Sequence, residues 1–367
     1  VMQPSYVAHG IDLPALADVQ DVLMIESYGL PRWQVAKVDK VTPRLLNNAL
    51  TLHTAQALAK ETPITTLSYD QEIGFEEPYP PRRYRQGIAE TAACGSAMAV
   101  KGTGFFHQGR FTLLTALKFS AQRQAIGQIQ RWLLEHEELY RERQNAAAIG
   151  LLYPSETLWQ SWDRIAPIYF GVGQALLASG VPWRVLTPDG DLTGLEVLLS
   201  FEDDPDMHVT VMMEERLQAL GAGQRRGNLR RLHVPSLPGW QFFKPGFLGR
   251  HRSLARFVGG LTRRATSAYF THPWARRLGD RYGLPQLYIN SPYFHLPPMG
   301  ERRILMEAIG GRHRPFARAE IPVLVEHWLQ GDIHQLHLVN YAANPQQVSV
   351  DLPRHAKGQI LSPDGPT

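Results

Sequence analysis

Residues 21–27, DVLMIES, decide how the rest of the chain is read, because an apolar run, Val22 to Ile25, stops at a carboxylate, Glu26. A short apolar run bounded by polar residues is the signature of a buried strand, and the pattern of the neighbouring segment tells which kind of sheet that strand joins. Here the next stretch is helical in pattern: residues 42–60, TPRLLNNALTLHTAQALAK, with Thr42 as the predicted N-cap and Pro43 at the first helical position. Residues 63–72, PITTLSYDQE, are β-branched and short and again end in acids. After the loop FEEPYPP, residues 82–95 predict a second helix that Gly95 terminates. Residues 96–104, SAMAVKGTG, predict a third strand. The segment closes with a long helix over 123–143, with Ile126, Ile129, Leu133 and Leu134 on one face and Glu137 paired with Arg141 on the other.

Repeated strand–helix units imply a parallel sheet, whose chemistry sits beyond the C-terminal ends of the strands. Glu26, the pair Asp70 and Glu72, and Lys101 all fall at those ends. Tyr28, Trp33, Tyr69 and Tyr79 belong to the same rim loops, where flat aromatic faces suit stacking on sugar rings and equally suit loop packing. Lys101 and His107 flank GTGFF and are placed either to hold a substrate hydroxyl or carboxylate or to pair with Glu26 or Asp70.

Composition limits the function classes. The 367 residues are 44% hydrophobic and 20% charged, with a formal net charge of +4, so the chain is globular and carries no polybasic tract that would make nucleic acid its default partner. The single cysteine, Cys94, excludes an internal disulfide and a cysteine-based zinc cage; beside Gly95 at a helix end it reads as a small buried residue. No apolar window approaches the ~18 residues of a membrane span, and no basic region followed by an apolar one opens the chain, so a cytoplasmic protein without membrane partners is expected. No cofactor and no metal site are expected. The first residue, Val1, and the final SPDGPT suggest a piece of something longer.

From Ala146 the pattern restarts: AAAIGLLYP as a strand, 164–180 as a helix ending at Gly180, VPWRVL and LEVLLSF as two further strands. Gly171 and Gly173 fall within that helix, where they permit close packing; there is no G-x-G-x-x-G, P-loop or nucleophile elbow. FEDDPDMH reads as a solvated loop, and the arginine-rich stretches between 223 and 281 read first as a solvated, ion-paired face.

The order of residues 146–201, together with the C-terminal IPVLVEHWLQGDIHQLHLVNYAANPQQVSVDLP, resembles the second half of a clan A glycoside hydrolase barrel followed by the flavodoxin-like, glutamine-amidotransferase-like middle domain of family 42 β-galactosidases. The resemblance is one of pattern and covers residues 15–200 and 320–353. It implies an α/β chain in three parts: the end of a (β/α) barrel over 1–145, a flavodoxin-like doubly wound domain over 146–315, and a β-rich tail over 316–367 in which LHLVNY is a strand. It implies a carbohydrate substrate, hydrolysis by two carboxylates about 5–5.5 Å apart in a retaining enzyme, and a homo-oligomer through the middle domain. With the three strands taken as the sixth to eighth of a barrel, SYDQE occupies the nucleophile position, so Asp70 or Glu72 is the candidate nucleophile and Glu26 an orienting, substrate-binding or displaced catalytic acid. The strand that bears the acid/base in that clan has no counterpart here, and a noncatalytic carbohydrate-binding or assembly module is the alternative. A working rim requires the Glu26 and Asp70 carboxyl groups within about 10 Å of one another.

Overall fold

The computed structural model describes residues 12–26, 32–35, 43–68, 80–100, 105–107, 110–154, 169–201, 209–210, 233–234, 296–297, 299–310, 315–342, 344–352 and 358–364. A short helix α1 (Leu13–Ala17), capped by the Asp12 carboxylate on the Ala15 N–H, leads into β1 (Leu23–Glu26). A hairpin of β2 (Arg32–Val35) and β3 (Pro43–Leu46) precedes α2 (Ala49–Ala59). There follow β4 (Ile64–Ser68), α3 (Pro81–Ala93) and β5 (Ala97–Val100). A second hairpin, β6 (Phe105–His107) with β7 (Arg110–Thr112), leads to α4 (Ser120–Glu135).

β1, β4 and β5 form a parallel sheet in that order, Glu26 standing opposite Leu67 and Ser68 opposite Val100. Within this sheet the strands follow chain order, with the β2–β3 hairpin and α2 inserted between β1 and β4, as successive strands do in a barrel; the described residues do not close one. The expected helix over 42–60 is shorter than predicted. Pro43 to Leu46 are extended and pair antiparallel with Arg32–Val35, and the helix starts only at Ala49, so the Thr-Pro start signal is overridden by a hairpin partner from upstream. The final helix likewise stops at Glu135, and Leu134 is exposed, not part of the apolar face with Ile129; the Glu137–Arg141 ion pair forms at 2.9 Å.

The chain then passes through β8 (Gln144–Asn145) to β9 (Ile149–Leu152), a helix α5 over 169–178, β10 (Arg184–Leu186) and β11 (Val197–Phe201). The three strands are parallel with β9 in the middle, a 2-1-3 order, extended antiparallel by β12 (Val209–Thr210) and β13 (His233–Val234). Gly173 lies where α5 crosses α2; a Cβ there would come within 2.9 Å of the Leu50 side chain, which is the close packing expected of it.

After α6 (Met299–Ile309), β14 (Phe316–Arg318) pairs with β17 (Ser349–Asp351), while β15 (Val323–Gln330) and β16 (Ile333–Asn340) make a long hairpin. β15 also pairs with β8, through Trp328 opposite Asn145. A continuous apolar core runs through Leu52, Ile149, Trp183, Leu324 and Tyr341, and so joins residues from the beginning, middle and end of the chain. No helix among the described residues is long and apolar enough to cross a membrane.

Candidate functional site

The parallel register brings the C-terminal ends of β1, β4 and β5 to one edge. Glu26 is the last residue of β1; Trp33 lies in β2 opposite Leu45 and His107 in β6 opposite Arg110, and of these three the structure describes the backbone. Asp70, Glu72, Tyr28, Tyr69 and Lys101 lie outside the described residues, as does the expected Glu26–Asp70 separation. FEDDPDMH beyond Phe201 and the arginine-rich stretches, apart from the short β13, also fall there.

The described part of the molecule contains a different polar constellation, in the core beneath that sheet. Helix α2 is apolar nearly all round and buried from Ala49 to Ala55, so the one imidazole it carries, His53, goes inside with it. His53 is 3% exposed; its Nε2 lies 2.8 Å from Oε1 of Glu326, itself fully buried in β15. The Cys94 thiol donates to the same oxygen at 3.7 Å. Nδ1 of His53 and Oε2 of Glu326 are buried and have no hydrogen-bond partner among the described residues, and the His53 ring leans on Trp183 with centroids 4.4 Å apart.

Cys94 reaches this point because α3 ends in a Schellman turn: Gly95 N–H donates to Ala92 O and Ser96 N–H to Thr91 O, with Gly95 at φ +79°. Trp328 Nε1 donates to Ala93 O at 2.8 Å, and the Arg143 guanidinium, stacked 4.1 Å above the Trp328 ring, donates to Ala92 O. Gln56 donates to the Cys94 carbonyl. The end of α3 is thus held from three directions, and a Cβ at position 95 would strike Gln56 and Trp328.

One turn earlier on α3 sits Glu90, fully buried. Its Oε1 accepts from Asn48 N–H at 3.0 Å and from Tyr341 Oη at 2.5 Å, and its Oε2 from Asn48 Nδ2 at 3.2 Å, so this carboxylate joins Asn47 Oδ1, which accepts from Ala49 N–H, in closing the N-terminus of α2. Burial pushes its pKa from 4.5 up to about 7 against these three bonds, and the Glu326 charge adds to the rise. Burial, then Glu326 and Glu90, drive the Cys94 thiol well above its usual value; the Arg143 charge opposes them. A thiol held protonated in this way is no nucleophile, which agrees with the expectation of Cys94 as a buried small residue.

A cleft of about 620 Å³ opens beside this cluster, lined by His53, Gln56, Lys60, Arg184 and Asp191 among others. It lies at the N-terminal end of β4, next to Ile64, and so on the opposite edge of that sheet from Glu26. Its arginine is already engaged, donating to the carbonyls of Asn145 and Thr193.

No family model and no curated protein matches the chain. Three solved structures are similar in part: α-L-fucosidase isoenzyme 2 from Paenibacillus thiaminolyticus (17% identity, TM-score 0.31, 41% of this chain and 22% of that one); β-galactosidase from Bacillus circulans sp. alkalophilus (13%, 0.38, 51% and 29%); and a catalytic mutant of a GH42 β-galactosidase from G. stearothermophilus (14%, 0.37, 51% and 30%). The chain spans less than a third of each of these proteins, and at such scores they establish neither its fold nor its reaction.

Sequence reasoning did not single out His53, Glu90 or Glu326. The signal was present: Glu326 interrupts the apolar run IPVLV–HWL, His53 sits in a helix of mainly small and apolar residues, and Glu90 stands in the small-residue stretch IAETAA at the end of α3, positions where a titratable group goes inside only with a partner.

Proposed function

We propose that the chain is part of a glycosidase-like hydrolase acting on a carbohydrate, with residues 1–145 supplying barrel strands, 146–315 a flavodoxin-like domain and 316–367 a β-rich tail. The observation that carries the reading is the register of β1, β4 and β5: three parallel strands, side by side in the order in which they follow along the chain, whose last residues Glu26, Ser68 and Val100 share one edge. Residues that immediately follow such ends form the reacting rim in (β/α) barrels, and Asp70, Glu72 and Lys101 follow them here. In this proposal Asp70 or Glu72 is the nucleophile, Glu26 orients it or contacts substrate, and Tyr28, Trp33, Tyr69, Lys101 and His107 bind the sugar. The 2-1-3 order of β10, β9 and β11 supports the flavodoxin-like part.

The test is hydrolysis of an aryl-glycoside panel by the chain and by Glu26→Gln, Asp70→Asn and Glu72→Gln. Turnover that falls at least about 1,000-fold in Asp70→Asn or Glu72→Gln identifies the nucleophile. No turnover on any sugar by the folded chain refutes a self-sufficient site and favours the noncatalytic binding or assembly module.

A further inference from the structure

We propose that His53, Cys94 and Glu326 form a binding site for one divalent zinc-class cation, held by His53 Nε2, Cys94 Sγ and a Glu326 carboxylate oxygen. The inference does not depend on the glycosidase reading, since the three side chains lie on α2, at the end of α3 and in β15, away from the Glu26 edge.

A thiol, an imidazole and a carboxylate are the three ligand types that zinc accepts, and three protein ligands with one open position are the usual set of a zinc site that stays accessible. The sequence holds too few cysteines for a cage, but the fold supplies the two other ligand types from residues 41 positions before and 232 positions after Cys94. All three ligand atoms lie within 4.8 Å of one another, and all three residues are buried. In a tetrahedral zinc site with the usual bond lengths, sulfur and oxygen ligands stand about 3.6 Å apart and nitrogen and oxygen about 3.4 Å. Cys94 Sγ and Glu326 Oε1 are 3.7 Å apart already, and the 2.8 Å His53–Glu326 hydrogen bond has to open by about 0.6 Å.

Electrostatics also favour a cation here. Among the described residues no donor reaches the buried Glu326 Oε2, so half of a carboxylate is left without compensation in the core. Glu90, one turn before Cys94 on α3, is a second fully buried carboxyl group in this part of the core. When the cation binds, the thiol proton leaves to solvent and the thiolate takes its place in the coordination shell. With the metal on Nε2, the imidazole N–H sits on Nδ1. His53 also borders the 620 Å³ cleft, which gives an ion a route from water.

The experiment uses the intact chain, stripped with a chelator and titrated with Zn2+ and, in parallel, with Co2+. One zinc per chain is expected, with the Co2+ form showing a near-ultraviolet thiolate-to-cobalt band and visible bands of four-coordinate intensity. Cys94→Ser should abolish the charge-transfer band, and Cys94→Ser, His53→Gln and Glu326→Gln should each weaken uptake by at least about 100-fold. Absence of the cobalt band in the unaltered chain overturns the proposal without recourse to variants that could misfold. So does zinc uptake that Cys94→Ser leaves unchanged.

Discussion

Replacing Glu90 by glutamine tests whether a buried carboxyl group sets the pH dependence of this fold. Burial raises the Glu90 pKa from 4.5 in a solvated carboxyl to about 7 in the core. A group whose folded pKa is raised contributes stability that is fully present below pH 4.5 and is lost as the pH rises through 7. The gap corresponds to about 3 kcal/mol, a sizeable share of a domain's total stability. Two histidines work the other way: His327 and His337, both depressed to about 4 chiefly by burial, contribute stability above 6.5 that disappears as the pH falls toward 4. The raw pH profile therefore mixes opposing slopes, and the informative quantity is the difference between wild type and Glu90→Gln. Glutamine keeps an acceptor for Tyr341 Oη and for Asn48 N–H, and a flip of the Asn48 amide meets its new NH2 group. Urea unfolding of both proteins at intervals from pH 4.5 to 8 should show Glu90→Gln gaining about 3 kcal/mol relative to wild type across that range. A difference that stays flat refutes a raised pKa, and one of opposite sign refutes the burial argument itself.

Two further outcomes concern packing. Gly180→Ala puts a methyl group where φ is +64° and where a Cβ would clash with the Ala317 carbonyl oxygen, so thermal or urea unfolding should show a loss of at least about 2 kcal/mol. Trp328→Phe removes the bond to Ala93 O and weakens the Arg143 stack; about 2 kcal/mol should be lost, with the near-ultraviolet circular dichroism of the core reduced.

Much of the strand–helix order is legible in the sequence because it rests on local patterns. The apolar runs at 23–26, 64–68, 149–152 and 197–201 are strands, and Gly95 and Gly180 end helices at positive φ. Residues 43–46 carry a helix start signal and yet are extended, because their strand state comes from pairing with 32–35, a tertiary cause that the proline conceals. That Glu26 ends a strand is legible from the local pattern; Asp70 and Glu72 lie outside the described residues. The buried cluster is not legible, because nothing in the neighbourhood of His53 says that its partner is a glutamate 273 residues further on.

That separation has a consequence for the newly made chain. Synthesis at about 5–20 residues per second means that roughly 14 to 55 s pass between the emergence of His53 and that of Glu326. During that interval α2 and α3 exist without β15, the Asn48 end of α2 lacks Tyr341 on its Glu90 cap, and Gln144 and Asn145 have no strand to join. The surface around α2 and α3 leaves the ribosome unfinished, and residues 323–341 act as its closing stitch. A nascent chain arrested before residue 323 should be far more sensitive to protease around α3 than one released after Tyr341.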